Sequence, residues 1–291
     1  MLAVAALLAP AACQPAPSTA RPRTPVRIVS TAPSVTEIVF ALGLGDAVVG
    51  VSDHCTFPKE ASGRATVGPY LQPSVERILA LRPDLALLDD VQADAARALE
   101  AAALPTLRLG LRSLADVRSA ILRVGGVTAR GAEAAALVAR LDREIAAAPR
   151  LASRERVLLV IGRDPGTLRN LYAAAPGSFA GELLRIAGGK NALADAATPY
   201  PKVAVETIIA RAPDVIVEIP TAGVDAAAAR RDWAALASVP AVRTGRVHLT
   251  TDQLLTTPGP RAAQALARLV ETIERPGQSP VVPAGELPAG N

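Results

Sequence analysis

Three groups of residues in this chain have types and spacings that could do chemistry. The first is Asp53, His54 and Cys55, side by side. A thiol beside an imidazole invites a cysteine nucleophile with a histidine base, and the three together invite a metal site. The sequence argues against both. Adjacent side chains on an extended segment point apart, and no orienting Asn or Asp is evident. A metal needs three or four converging ligands. The chain has only two histidines, and the other, His248, is far away. A small packed thiol is the simplest account of Cys55.

The other two groups recur together. Residues 70 to 87 begin Tyr70 and run through Val75-Glu76, Ile78, Ala80 and Pro83-Asp84; residues 200 to 217 begin Tyr200 and run through Val205-Glu206, Ile208, Ala210 and Pro213-Asp214. A repetition this long implies two related lobes built on one local unit, with the function between them or on the surface presenting both copies. Aromatics are only 2% of the chain, and Tyr70, Tyr172 and Tyr200 are all of its tyrosines. Tyrosine offers a broad apolar face with a polar tip, which suits gripping a flat ligand. Glu76 and Glu206 each fall in the first turn of a helix, where a carboxylate favours the helix dipole by about 0.3–1 kcal/mol.

The elements that must position these groups alternate. Arg27–Ser30 reads as a strand. Ser34-Val35-Thr36-Glu37 reads as a capping box opening a helix that ends at Gly43. Val48–Val51 is a strand running into the polar loop 52–58, and ligands in open α/β sheets bind beyond such strand ends. The first repeat unit supplies Ser74 as a cap, a helix over 75–81, a break at Pro83 and a strand over 85–88. A helix over 91–103 and a strand over Thr106–Leu109 continue the alternation, which predicts a parallel sheet with helices on its faces. From Leu114 to Ala148 strands disappear. The segment is interrupted at Gly125-Gly126, and a helix follows over Thr128–Ala148 with Leu137, Leu141 and Ile145 on one face. The second lobe restarts with a strand over Arg156–Ile161, a turn at Asp164-Pro165-Gly166, a helix over Ser178–Ala187 closed by Gly188-Gly189, and the second repeat unit. A short helix beginning at Trp233, a strand over Arg246–Leu249 and a final helix over Pro260–Glu274 complete it. The domain reading is therefore 1–13 a signal segment, 14–25 a Pro-rich tether, 26–126 the first lobe, 127–150 a linker helix, 151–275 the second lobe and 276–291 a loose tail.

Length and charge bound the rest. The 291 residues, half of them apolar, allow two ordinary domains. The net charge of +4 is spread singly along helices, with Arg230-Arg231 the longest run, so nucleic acid is not an expected partner. Residues 1 to 12 are small or apolar and too short to span a bilayer. Cys13 follows Ala11-Ala12 and precedes the Pro-rich tether, an arrangement that resembles a bacterial lipoprotein cleavage site. Cys13 and Cys55 are the only cysteines, so lipidation of Cys13 leaves Cys55 a lone thiol outside the cytoplasm.

Several segments carry a family likeness: Ala32-Pro33-Ser34-Val35-Thr36-Glu37, Val49-Gly50-Val51-Ser52, Pro73 to Leu87, Gly177-Ser178 with Gly188-Gly189-Lys190-Asn191, and Pro258-Gly259-Pro260-Arg261. Over about residues 26 to 275 the chain resembles the periplasmic substrate-binding proteins of ABC importers for cobalamin, haem and ferric siderophores, and most of all the cobalamin binders. The resemblance implies two Rossmann-like α/β lobes joined by one long helix, no catalytic activity, no intrinsic cofactor, and a periplasmic or envelope location with a lipid anchor at Cys13. It implies that Tyr70, Tyr172 and Tyr200 contact a corrin ring, that His54 stands at a position often held by Tyr, and that Asp252 approaches the ligand. The Arg that follows in those proteins is replaced here by Gln253-Leu254-Leu255-Thr256-Thr257. It implies that Glu76 and Glu206, one on each lobe, pair with Arg on the two copies of a permease that works with its ATPase. The alternative ligands are haem, with Tyr70 or His54 as an axial ligand, and a ferric siderophore. The rival from another class is an envelope enzyme using His54 and Cys55.

Overall fold

The computed structural model describes residues 27–219, 226–250 and 253–278. Residues 1–26, Asp252 and the end of the tail, and the expectations placed on them, lie outside these. Among the described residues no helix is long and apolar enough to cross a membrane.

The first lobe runs β1 (Ile28–Ser30), α1 (Pro33–Ala41), β2 (Val48–Val51), β3 (Ala65–Thr66), α2 (Val75–Ala80), β4 (Leu85–Asp89), α3 (Ala93–Ala101) and β5 (Thr106–Leu109). All five strands are parallel, in the order β3-β2-β1-β4-β5. β4 reads Leu-Ala-Leu-Leu-Asp and is buried throughout, as a strand covered on both faces must be. Two helices follow, α4 (Leu114–Val127) and α5 (Gly131–Ala147).

The second lobe comprises β6 (Arg156–Gly162), β7 (Leu171–Ala173), α6 (Phe179–Ala187), β8 (Lys190–Asn191), β9 (Lys202–Val203), α7 (Val205–Arg211), β10 (Val215–Glu218), α8 (Ala226–Trp233), α9 (Pro240–Arg243), β11 (Val247–Leu249) and α10 (Ala262–Glu274). Its sheet has the order β11-β10-β6-β7-β9, with β8 also beside β6. It is not wholly parallel: β7 runs antiparallel to both β6 and β9. The turn at 164–166 and Asn170 at φ 49° bring the chain straight back along β6, and hairpin neighbours are antiparallel. Tyr172 sits on that reversed strand.

The duplicated unit does the same structural work twice. The Asp84 carboxylate accepts from the Arg27 backbone N–H at 2.9 Å, and the Asp84 N–H donates to the Arg27 carbonyl at 2.8 Å. Asp214 and Arg156 repeat both bonds at 2.9 and 2.8 Å. Each Asp thus pins the start of its lobe's first strand beside the strand that follows the repeat helix. The residue before each proline is barred from the right-handed helical region, and both adopt positive φ, Arg82 at 47° and Ala212 at 43°.

Helix boundaries depart from expectation where tertiary partners intervene. Ser74 and Ser178 cap as predicted, accepting from the Arg77 and Gly181 amides at 3.2 and 3.1 Å. The expected Ser34–Glu37 box does not form. α1 starts at Pro33 with no side-chain cap, and Glu37 is drawn instead to Arg261. Trp233 ends α8 and also caps the short 3-10 helix Ala234–Leu236 expected there, and α10 starts at Ala262, beyond Pro260. The linker helix also differs. α4 passes through Gly125-Gly126, and the break falls at residues 128–130, with Ala129 at φ 57°. α5 is 17 residues long, about 25 Å at 1.5 Å per residue. Its buried stripe is Ala134, Leu137, Leu141 and Ile145. That stripe enters one apolar core holding Val35 and Ile38 of α1, Val157 of β6, Leu183 of α6 and Leu266 of α10, so the core crosses both lobes.

The two glycines of α4 have different roles. A Cβ on Gly125 would lie 2.4 Å from Ala134 Cβ and 2.8 Å from the Arg130 carbonyl oxygen, whereas one on Gly126 meets nothing within 4 Å. Gly125→Ala is therefore expected to lower stability by about 1–3 kcal/mol through overpacking. Gly126→Ala should raise it by about 0.5–1 kcal/mol through helix propensity. Urea denaturation of the two variants checks both; equal effects would show that the helix contact does not require glycine at 125.

Candidate functional site

The carboxyl ends of the first lobe's strands open on a cleft facing the second lobe. A cavity of about 500 Å³ lies there, lined by His54, Tyr70, Asp89 and Arg112 from the first lobe and by Tyr200, Gln253 and Thr257 from the second. A cavity of about 410 Å³ adjoins it, sharing Pro33, His54, Gln253 and Thr257 and adding Glu37, Phe57 and Arg261.

Tyr70 is held firmly. Its hydroxyl donates to Asp89 Oδ2 at 2.9 Å. Asp89 ends β4, accepts at Oδ1 from the Val91 amide at 3.2 Å, and donates its own N–H to Gln92 Oε1 at 2.9 Å. Gln92 Nε2 donates to the Thr31 carbonyl at 3.2 Å and to the Tyr70 carbonyl, while Thr31 Oγ1 donates to Gln92 Oε1 at 2.6 Å. Every member of this network sits at or just beyond a strand end or its helix cap. Burial, reinforced by the Asp89 charge, pushes the Tyr70 phenol well above its ordinary range. Burial also raises Asp89, against the Val91 amide and the Tyr70 hydroxyl, which favour its ionised form. Tyr200 stands opposite and is more exposed, at 41%. Burial raises its phenol, and a hydrogen bond from the Phe179 amide and the Arg112 charge oppose that rise.

His54 and Cys55 part company. His54 is exposed and lines both cavities. Cys55 is 3% exposed and belongs to the apolar core; Thr36 Oγ1 donates to its Sγ at 3.2 Å, and Ser52 Oγ lies at 3.2 Å. Burial pushes its thiol up, the opposite of what a nucleophile needs. Among the described residues no three His, Cys, Asp or Glu side chains converge as metal ligands.

Of the residues named from sequence, Tyr70, Tyr200 and His54 share a cavity. Tyr172 is 45% exposed on β7 and lines neither cavity. Asp252 and Cys13 lie outside the described residues. Glu76 and Glu206 are exposed on α2 and α7, and neither carboxylate has a hydrogen-bond or ion-pair partner among the described residues.

Sequence reasoning did not single out Asp89, Gln92, Arg112 or the partnership of Glu37 with Arg261. An acid at the carboxyl end of a buried strand was a readable signal for Asp89. Nothing local pairs Glu37 with a residue 224 positions away. Arg261 Nε donates to Glu37 Oε2 at 2.8 Å, and its Nη2 donates to Oε1. The guanidinium carbon also lies 3.7 Å from the centre of the Phe57 ring. Burial raises the Glu37 carboxyl, and Arg261 pulls it back down. The pair ties α1 of one lobe to the start of α10 in the other, at the floor of the cleft.

Two α/β lobes joined by one long helix, with an aromatic and polar cleft between them, define a class of protein that encloses a small molecule. The chain belongs to the periplasmic binding protein family, whose pattern matches residues 28–254. It is 31% identical over 262 residues to the ABC transporter substrate-binding lipoprotein YvrC of Bacillus subtilis (strain 168), covering 86% of this chain and 81% of that one. It is 28% identical over 254 residues to a vitamin B12-binding protein of Vibrio parahaemolyticus, covering 85% and 89%. Among solved structures it is similar to the periplasmic haem-binding protein RhuT of Roseiflexus sp. RS-1, with a TM-score of 0.73 at 29% identity over 85% of this chain and 97% of that one.

Removing one partner of a buried ion pair leaves the other uncompensated, at a cost of about 3 kcal/mol. Arg261→Gln should lose about that much stability, while Arg261→Gln combined with Glu37→Gln should lose less. A double-mutant cycle by chemical denaturation measures the coupling. Additive losses would mean that the two side chains do not act as a pair.

Proposed function

We propose that this protein is the substrate-binding component of an ABC importer, and that it captures a corrinoid in the cleft and delivers it to a membrane permease. The observation that carries the reading is Tyr70 and Tyr200 lining one cavity from opposite lobes. Two aromatic faces across a cleft suit a flat, largely apolar macrocycle with polar edges. Relatives named for vitamin B12 support the corrinoid, and structural neighbours named for haem support the haem alternative. In the haem alternative Tyr70 or His54 is the axial ligand, and a ferric siderophore is the remaining alternative. No chemical step is assigned to the protein.

In this reading residues 26–126 and 151–275 are the lobes, Tyr172 and Asp252 are further ligand contacts, and Cys13 carries a lipid anchor at the envelope. Glu76 and Glu206 dock on the permease. Their surroundings support this. Leu79 and Ile209, each three residues on from its Glu, are 37% and 44% exposed, so both helices turn an acid and an aliphatic residue to solvent on one face. Exposed pairs contribute only about 0.2–1 kcal/mol each, which suits a partner that must let go.

Spectrophotometric titration of the purified chain with cyanocobalamin, haemin and ferric hydroxamates tests the ligand class. Micromolar or tighter binding of cyanocobalamin is the expected result, and binding of none of the three overturns the reading. For docking, Glu76→Lys with Glu206→Lys should abolish uptake by whole cells while ligand affinity in vitro stays unchanged. Unchanged uptake would leave both residues as helix-end carboxylates.

A further inference from the structure

We propose that Arg112 is the anion-recognising residue of the cleft, and that the captured molecule carries a carboxylate or phosphate group on its periphery. The assignment rests on the binding reading above and adds a chemical requirement to it.

The charged side chains lining the two adjoining cavities are mostly engaged. Asp89 is bound to the Tyr70 hydroxyl, and Glu37 and Arg261 are bound to each other. Arg112 lines the larger cavity, and its guanidinium has no hydrogen-bond or ion-pair partner among the described residues. It is also near enough to Tyr200 for its charge to act on that phenol.

The main chain that delivers this side chain is held on both sides. The Arg112 and Ser113 amides both donate to Asp116 Oδ2, at 3.1 and 3.0 Å. Ser113 Oγ caps α4 by accepting from the Asp116 amide at 3.1 Å. The Leu114 amide donates to Glu182 Oε2, on α6 of the other lobe, at 2.8 Å. Leu111, on the near side, is buried. A fixed backbone thus presents an exposed guanidinium at the wall of the cavity that Tyr70 and Tyr200 also line. A guanidinium is a planar fork of donors that matches a carboxylate or phosphate two bonds at a time. No carboxylate of the wall is assigned to it, so a ligand can supply one.

Three probes separate the sources of such a group. Haemin carries two carboxylates, cyanocobalamin carries one phosphodiester, and dicyanocobinamide keeps the corrin ring without the phosphate. Arg112→Gln is expected to weaken binding of whichever of haemin or cyanocobalamin the wild-type protein takes by about 10- to 100-fold. It should leave dicyanocobinamide unchanged, and Arg112→Lys should recover part of the loss. Added salt should weaken the wild type more than Arg112→Gln. The variant removes no bond made by the side chain, and its unfolding midpoint should match the wild type. Wild-type protein that binds an anionic probe while Arg112→Gln binds it equally well overturns this assignment alone. An equal loss for dicyanocobinamide also overturns it. Wild-type protein that binds none of the probes overturns the cleft reading and this assignment together.

Discussion

The burial of one helical stripe holds the two halves of this molecule in register. Leu137, Leu141 and Ile145 of α5 enter a core fed by helices and strands of both lobes. Each such side chain contributes about 1.5–3 kcal/mol when fully removed from water. Separating the lobes would expose that core, so the connection behaves as a spine rather than a tether. On the cleft side the same role is played by chemistry of another kind, the Glu37–Arg261 pair. An apolar spine and an ionic tie together set the width of the space between Tyr70 and Tyr200.

The two walls of that space differ in stiffness. Tyr70 is tied through its hydroxyl and its carbonyl to a network that closes through Asp89, Gln92 and Thr31. Its rotamer entropy is already spent in the free protein, which lowers the ordering cost when a ligand arrives. Tyr200 comes from the lobe whose sheet carries the reversed strand, and it keeps more of its surface in water. The cleft thus has one wall fixed by side-chain hydrogen bonds and one that is more open to solvent.

Much of the framework was legible because it is written in local patterns. The strand and helix alternation follows from apolar runs and breakers, and the duplicated unit announced two lobes. Asp84 and Asp214 show why the Pro-Asp pair recurs, since each holds the first strand of its lobe through the same two bonds. The departures share a cause. Glu37 left its capping box for Arg261, and Gly125 proved to be a packing glycine inside a helix rather than a break. β7 runs backward because of a turn whose direction depends on the φ of Asn170. In each case a packing or ionic contact, or a single backbone angle, outweighed a local preference.

The site divides along the same line. The repeat of one unit in two lobes, the tyrosine at the head of each copy and the acid in the first turn of each repeat helix are all legible in the residue order. Those are properties of spacing and residue type, and local rules carry them. Folding in space is what brings Tyr70 and Tyr200 to one cavity and seals Cys55 in the core while its neighbour His54 opens on the cleft. It also pairs Glu37 with Arg261 and leaves the Arg112 guanidinium at the cavity wall without a partner among the described residues. Pairing among charges depends on which strand ends and helix starts meet in space, and that is set by how two sheets close on one helix.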